Sequence, residues 1–296
     1  PLKKTYFFPE LFTSEYISNK LPLQNYTKLN NSTTLFGLEL EIESILEPIE
    51  NNQYWNTKSD HSLRNNGKEF VSIPLQGKEI YSALTYLKNQ ILLENTPTFS
   101  SRCSTHVHLN IRELTWNNII CLILYYSIFE KHFFNVAGTK REESIFCVPL
   151  YLSNHSNKIK NLVDTLNTWS KYNALNLGTI LGSNHNTKFG TIEFRHLYGT
   201  LHIPTIMSWI NTIQKLYDAC QKTTVENLTE LILTLNSTSE YFSLYKEIFE
   251  EEAQIDIMSK TDFESCITST KIALTKDNTI KQATANSFFY LYINQE

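Results

Sequence analysis

The sequence predicts an α+β protein built on an antiparallel sheet. Short segments with strict apolar/polar alternation are concentrated before residue 200, and beyond it the chain reads as helix only. Alternating βαβ units, the mark of a parallel sheet, are absent. The 296 residues include 41% apolar and 12% aromatic side chains. That is ample for a sizeable core and excludes wholesale disorder. The length fits one large domain or two small ones.

Taken in order, the strand-like segments are Leu35–Ser44, Glu69–Ile73, Thr105–Arg112 and Gly190–Tyr198. Patches rich in Asn, Ser and Thr punctuate the chain at 25–34, around Asn51, and at 64–67, 153–157 and 182–190. Leu114–Phe134 is long and apolar and predicts a buried helix, because its apolar run Ile119–Phe129 is only about half of the ~20 residues a bilayer requires. Helical spacing of apolar residues predicts further helices over Ile203–Thr223, Val225–Leu235, Tyr241–Ala253 and Asp262–Ala273. In the first of these, Ile206, Trp209, Ile210, Ile213, Leu216 and Tyr217 form a stripe suited to packing on a sheet.

Composition narrows the function classes. With 26 basic and 30 acidic residues the formal net charge is −4, which disfavours nucleic acid and anionic membrane as partners. The five cysteines, Cys103, Cys121, Cys147, Cys220 and Cys266, are scattered and show no CxxC spacing. They exclude a disulfide framework and a thiolate zinc site, and they fit a reducing cytosol. PLKKTYFFPELF lacks the layout of a signal peptide, so the expectation is a soluble cytoplasmic protein. No Gly-rich phosphate loop of the Rossmann or P-loop type is present.

The alternating faces carry the chemistry. In FGLELEIE, Phe36, Leu38, Leu40 and Ile42 point one way, and Gly37, Glu39, Glu41 and Glu43 the other. Carboxylates ~7 Å apart on one face destabilise the strand unless something positive joins them. In THVHLNIR, His106, His108, Asn110 and Arg112 share the polar face; in TIEFRHLY, Glu193 and Arg195 share one face, and Ile192, Phe194, His196 and Tyr198 the other. Glu69 heads a further strand. Singly, each of these reads as a solvated strand face, a structural histidine pair or a surface ion pair. On one sheet they would gather carboxylates, imidazoles and a guanidinium. That donor set suits Mg²⁺ or Mn²⁺ rather than Zn²⁺, with Arg195 as a phosphate clamp. Residue chemistry thus reaches metal-assisted chemistry on a phosphorylated ligand.

The ordered blocks FGLELEIE, SDHSL, KEFVSIPL, CSTHVHLNI, KYNALNL and GTIEFRHLYGTL resemble the putative amidoligase family, carboxylate–amine ligases related to glutamine synthetase and glutamate–cysteine ligase. The resemblance covers about residues 35–215. It implies a half-open, curved, mainly antiparallel sheet of the glutamine-synthetase catalytic type, with helices on the convex side and a helical C-terminal region. It also implies Mg²⁺ and ATP as cofactors, an acyl phosphate intermediate, and a carboxylate and an amine as substrates, from small molecules or protein side chains. Relatives often assemble, so a homo-oligomer is a further expectation. The expected division is an N-terminal extension over 1–34, a catalytic domain over 35–215 and helices over 216–296 packed on the same domain.

Carried over by position, the resemblance makes Glu39, Glu41, Glu69, His106 and Glu193 metal ligands, with Glu39, His106 and Glu193 sharing one ion and Glu41 and Glu69 another. His108 would face an ATP phosphate, and Arg195 would stabilise the phosphoryl group in flight. Glu43 is either a ligand to a third metal or the end of the strand. Asp60 would bind or deprotonate the amine, which attacks only when neutral; His61 stands where the family pattern has Gly. Arg141, Lys171 and Asn176 are candidates for phosphate or carboxylate contacts, against the plainer reading of surface charges and a turn-forming Asn. Cys103, beside the HVH strand, reads as an ordinary buried thiol. Two other classes compete: a metal-dependent phosphohydrolase using the same face without an acceptor, and a non-catalytic binding protein on the same fold. The first lacks the usual DxH, DxD or HD motifs, and the second would be expected to have lost ExE or ExR.

Overall fold

Alternation over Phe36–Ile42 works because every second residue is large and apolar while its neighbours are glycine or carboxylate. The computed structural model describes residues 27–150, 170–181, 190–250 and 260–275. Their elements are α1 (Thr27–Asn30), β1 (Phe36–Ile42), β2 (Trp55–Ser59), β3 (Lys68–Ser72), α2 (Lys78–Glu94), β4 (Ser104–Asn110), α3 (Trp116–Ala137), a 3-10 turn (Thr139–Glu143), β5 (Leu175–Asn176), α4 (Gly178–Leu181), β6 (Thr191–Tyr198), α5 (Ile203–Cys220), α6 (Val225–Thr234), α7 (Thr238–Phe249) and α8 (Lys260–Thr275). The strands form one unclosed antiparallel sheet in the order β2-β3-β1-β4-β6-β5. Residues 1–26 of the expected N-terminal extension lie outside the described residues, as do the patches at 153–157 and 182–189 and the C-terminal residues 276–296.

Two compact units interleave along the chain. The first takes in residues up to Leu109, Val136–Arg141 and Phe194–Asn211; the second takes in Asn110–Asn135, Glu142–Glu193 and the chain from Thr212.

In the first unit β1 is central. It pairs with β3 in the register Glu39↔Val71 and Glu41↔Glu69, and with β4 in the register Gly37↔His108 and Glu39↔His106. Directly opposed residues share a face, so the pairing gathers the polar side chains of three strands on one side. Phe36, Leu38, Leu40, Ile42, Phe70, Val107 and Leu109 are buried on the other. Burying such side chains contributes roughly 1.5–3 kcal/mol each. Helix α2 turns Ile80, Ala83, Leu84, Leu87 and Ile91 inward, and Trp55 Nε1 donates to Ala83 O at 2.9 Å, tying β2 to it. The first turns of α5 bring Trp209 against the His196 ring, with centroids 5.4 Å apart.

Three elements here were not expected, the first being the short α1 inside the patch at 25–34. Helix α2 has a legible pattern of apolar residues three and four apart. Strand β2 does not: WNTKS offers one buried residue, Trp55, and it is a strand because β3 pairs with it from Trp55↔Ser72 to Ser59↔Lys68. Strand β1 stops at Ile42, two residues short of the expected end, and Ser44 has a left-handed φ of 64°.

The second unit is built around α3. Its Phe129 meets Tyr241, Tyr245 and Phe249 of α7 at ring distances of 5.1–5.9 Å, and Tyr241 Oη donates to Ile128 O at 3.0 Å. His132 of α3 lies 3.1 Å from Tyr245 Oη; burial, helped by Lys215, pushes its pKa down to about 3 and keeps it neutral. Helix α3 is long and apolar enough to cross a membrane, but it is mostly buried inside the protein, as in a core helix. The C-terminal helices fall where expected. Thr224 caps α6 by accepting from Asn227 N, and Ser237 and Glu240 form a capping box on α7. Helix α7 ends at Phe249, because Glu250 takes the left-handed C-cap conformation; residues 251–253 of the expected span lie outside the described residues.

Candidate functional site

Three strands of the first unit place the acidic and imidazole side chains. Glu39 sits between the histidines of β4, its Oε2 3.3 Å from His106 Nδ1 and its Oε1 3.3 Å from His108 Nε2. Burial would raise its pKa, but the hydrogen bonds from His106 and His108 outweigh this and hold it well below the usual carboxylate range. Glu41 is buried, and its Oε2 accepts from Ser104 N at 2.7 Å and from Ser104 Oγ at 2.5 Å.

These contacts orient the His106 ring. Ser104 Oγ donates to the Glu41 carboxylate and lies 2.9 Å from His106 Nε2. His106 thus faces the serine hydroxyl through Nε2 and Glu39 Oε2 through Nδ1. Arg195 Nη1 lies 3.5 Å from the same Nδ1. Ser104 thus links the two carboxylates of ExE through one imidazole. It occupies the same face as His106 and His108, two and four residues along β4; that alternation was a visible signal for a residue the sequence reading passed over.

Glu69 lies directly across from Glu41. Burial and then the negative charge of Glu39 push its pKa up to about 7, with Glu41 adding to this and Lys58 opposing it. The consequence for stability has a definite sign. Between the ordinary value near 4.5 and the folded value near 7, the folded chain keeps a proton that the unfolded chain has lost. The stabilisation is complete below the lower value and is lost as pH rises through 7. Denaturant midpoints measured from pH 5 to pH 8 without added metal are expected to fall more steeply for the wild type than for Glu69→Gln. Parallel curves would show that Glu69 ionises normally.

The remaining candidates divide by what holds them. Glu43 Oε1 accepts from Arg64 N at 2.9 Å and Ser100 Oγ at 3.0 Å. Asp60, half-buried, accepts from Ser62 N at 2.8 Å in an Asx turn. Arg141 is buried, and its guanidinium donates to backbone: Nε to His196 O and Nη2 to Arg195 O, both at 3.0 Å. It therefore braces β6 at the residue that carries the Arg195 side chain. Cys103 is buried, and burial together with Glu43 and Glu41 pushes its thiol up to about 12, so it stays protonated.

In the second unit, Glu193 is buried, and its Oε2 accepts from Asn176 Nδ2 at 2.7 Å. Asn176 Oδ1 in turn accepts from Gly178 N at 3.0 Å, so one amide both orients the carboxylate and ties down the start of α4. Lys171 is exposed, with its ammonium 5.0 Å over the Tyr172 ring.

Comparison with known proteins bears on this constellation. A family model described as "putative amidoligase enzyme" matches residues 43–217, more than half of the chain. The chain belongs to the putative amidoligase family. For this amidoligase the family description indicates a ligase-type enzyme. The match takes in Glu69, His106, His108, Glu193 and Arg195, and begins just after Glu39 and Glu41, which the β1 pairings bring into register with it. No curated protein matches the chain.

Proposed function

We propose that this amidoligase is an ATP- and Mg²⁺-dependent carboxylate–amine ligase that forms an amide through an acyl phosphate. The observation that carries the reading is the Glu41–Ser104–His106–Glu39 chain of hydrogen bonds. It brings His106 Nδ1 to 3.3 Å from a carboxylate held ionised, while Glu69 is crowded by the charges of Glu39 and Glu41. Hard oxygen donors with one imidazole fit Mg²⁺ or Mn²⁺, and the serine supplies the outer hydrogen bond that orients a ligating histidine.

On this reading Glu39, His106 and Glu193 hold one ion and Glu41 and Glu69 a second. Bound cations would neutralise the oxygens of the transferred phosphoryl group. His108 and Arg195 supply donors to the phosphates, and Arg195 stabilises the charge on the group in flight. Arg141 serves indirectly by bracing β6, and Asn176 by orienting Glu193. Asp60 accepts the proton that makes the attacking amine neutral. Lys171 remains a candidate for the carboxylate substrate. The partners would be one carboxylate and one amine, each a small molecule or a protein side chain, in a cytoplasmic setting.

The test is release of ADP and phosphate from ATP with Mg²⁺, screened against pooled carboxylates and amines. Release that requires both pools supports the ligase. Release that no amine accelerates points to a phosphohydrolase on the same face, and no release together with no binding of ATP·Mg²⁺ removes the reading.

A further inference from the structure

Glu43 continues the alternating acidic series of β1, but it has left the ladder that organises the others. The pairing with β3 ends at Ile42↔Lys68, and the pairing with β4 ends at Leu40↔Thr105. Glu43 instead exchanges backbone hydrogen bonds with Thr98, both at 3.0 Å. Glu43 is 2% exposed, and its Oε1 accepts from the Arg64 amide and the Ser100 hydroxyl.

Around that carboxylate the turn from Asp60 to Gly67 is tied down at several points. Ser44 N donates to Asn65 O at 3.0 Å, and Asn66 Nδ2 donates to Ile45 O. Arg102 Nη1 donates to Ser62 O at 2.7 Å, and Ser62 N is held by Asp60 Oδ1. Leu63 is buried beneath the turn. A Cβ on Gly67 would lie 2.3 Å from Leu63 Cβ, so this close approach admits no side chain. Ser44, Asn65 and Asn66 all have left-handed φ values, of 64°, 49° and 57°. Such conformations persist where the surroundings over-determine them and cluster at functional sites. The turn's outer residues, His61, Ser62 and Arg64, are exposed. A segment held rigidly from below and open above is suited to presenting Asp60 at a fixed place.

We propose that Glu43 is a positioning residue, not a metal ligand: it clamps the turn Asp60–Gly67 and so fixes Asp60, the residue that the ligase reading assigns to the amine. The second half of this statement rests on the ligase reading; the clamp itself does not. A backbone amide is a partner that glutamine can satisfy as well as glutamate, because its amide oxygen still accepts. A divalent cation loses most of its attraction when the charge is removed. The two roles therefore part at Glu43→Gln.

The experiment uses the full chain in three forms, wild type, Glu43→Gln and Glu43→Ala, with Mn²⁺ alone as the probe of metal binding and hydrogen exchange as the probe of the turn. Glu43→Ala is expected to speed exchange of the Arg64 amide by roughly 10-fold, as for loss of one hydrogen bond, and Glu43→Gln to restore the slow rate. Both variants should bind as many Mn²⁺ ions as the wild type. Once turnover is established, Glu43→Ala should raise KM for the amine and leave KM for ATP unchanged, with Glu43→Gln again rescuing.

Loss of one bound Mn²⁺ in Glu43→Gln would overturn the proposal, as would unchanged Arg64 exchange in Glu43→Ala. If the alanine variant does not fold, the Mn²⁺ stoichiometry of the glutamine variant still decides between ligand and clamp, and Arg102→Ala, expected to loosen exchange across Ser62–Arg64, tests the turn from its other side. A wild-type chain that binds no Mn²⁺ would remove the ligase reading and the amine role with it, while the exchange result would still judge the clamp.

Discussion

Glu39→Gln is expected to abolish ATP turnover, by roughly 10³-fold or more, while leaving the fold intact. The size follows from loss of a cation's charge stabilisation, worth several kcal/mol, at about 1.4 kcal/mol per factor of ten. The substitution keeps the shape of the side chain and one oxygen able to accept from His106 or His108, the two residues that flank Glu39 at 3.3 Å. What it removes is the negative charge that those contacts keep ionised. Two measurements check this: Mn²⁺ titration, which should show at least one ion weakened, and denaturant midpoint, which should move little. Undiminished turnover would remove Glu39 from the metal site.

Arg195→Ala is expected to lower turnover on the order of 10²–10³-fold, the usual cost of one donor aimed at developing charge, with Mn²⁺ affinity nearly unchanged. Arg195 stands on β6, its backbone carbonyl held by Arg141 and its guanidinium at the edge of His106. Lysine should recover only part of the loss, because a point charge cannot reproduce the planar fork. The opposite pattern, Mn²⁺ binding lost and turnover normal, would make Arg195 a support for His106 and not a phosphoryl clamp.

Both effects reach the site through groups that lie far apart in the chain, and that governs how much could be read before folding. The face on which each candidate stands was legible. Strand side chains alternate with a period of two, so Glu39 and Glu41 had to oppose Leu38 and Leu40, and His106 and His108 had to oppose Val107 and Leu109. The helices from Ile203 onward were legible for a similar reason, since a repeat of three and four residues is local. Helix α2 carries the same signal in Ile80, Ala83, Leu84, Leu87 and Ile91, and was passed over although nothing hid it.

Other features are not local. Strand β2 exists through its pairing with β3. The opposition of Glu41 to Glu69 and of Glu39 to His106 depends on register, which no single segment encodes. Arg141 read as a candidate phosphate or carboxylate contact, or else a surface charge, yet its guanidinium is spent on carbonyls 54 and 55 residues away. Glu43 read as either a ligand to a third metal or the end of the strand, and the structure gives its carboxylate the Arg64 amide. The physical reason is the same in each case. A buried polar group must find a partner, and which partner it finds is settled only when strands pair and turns close. Residue type and spacing determined which side chains share a strand face, and long-range pairing decided which of them meet and which hold the others in place.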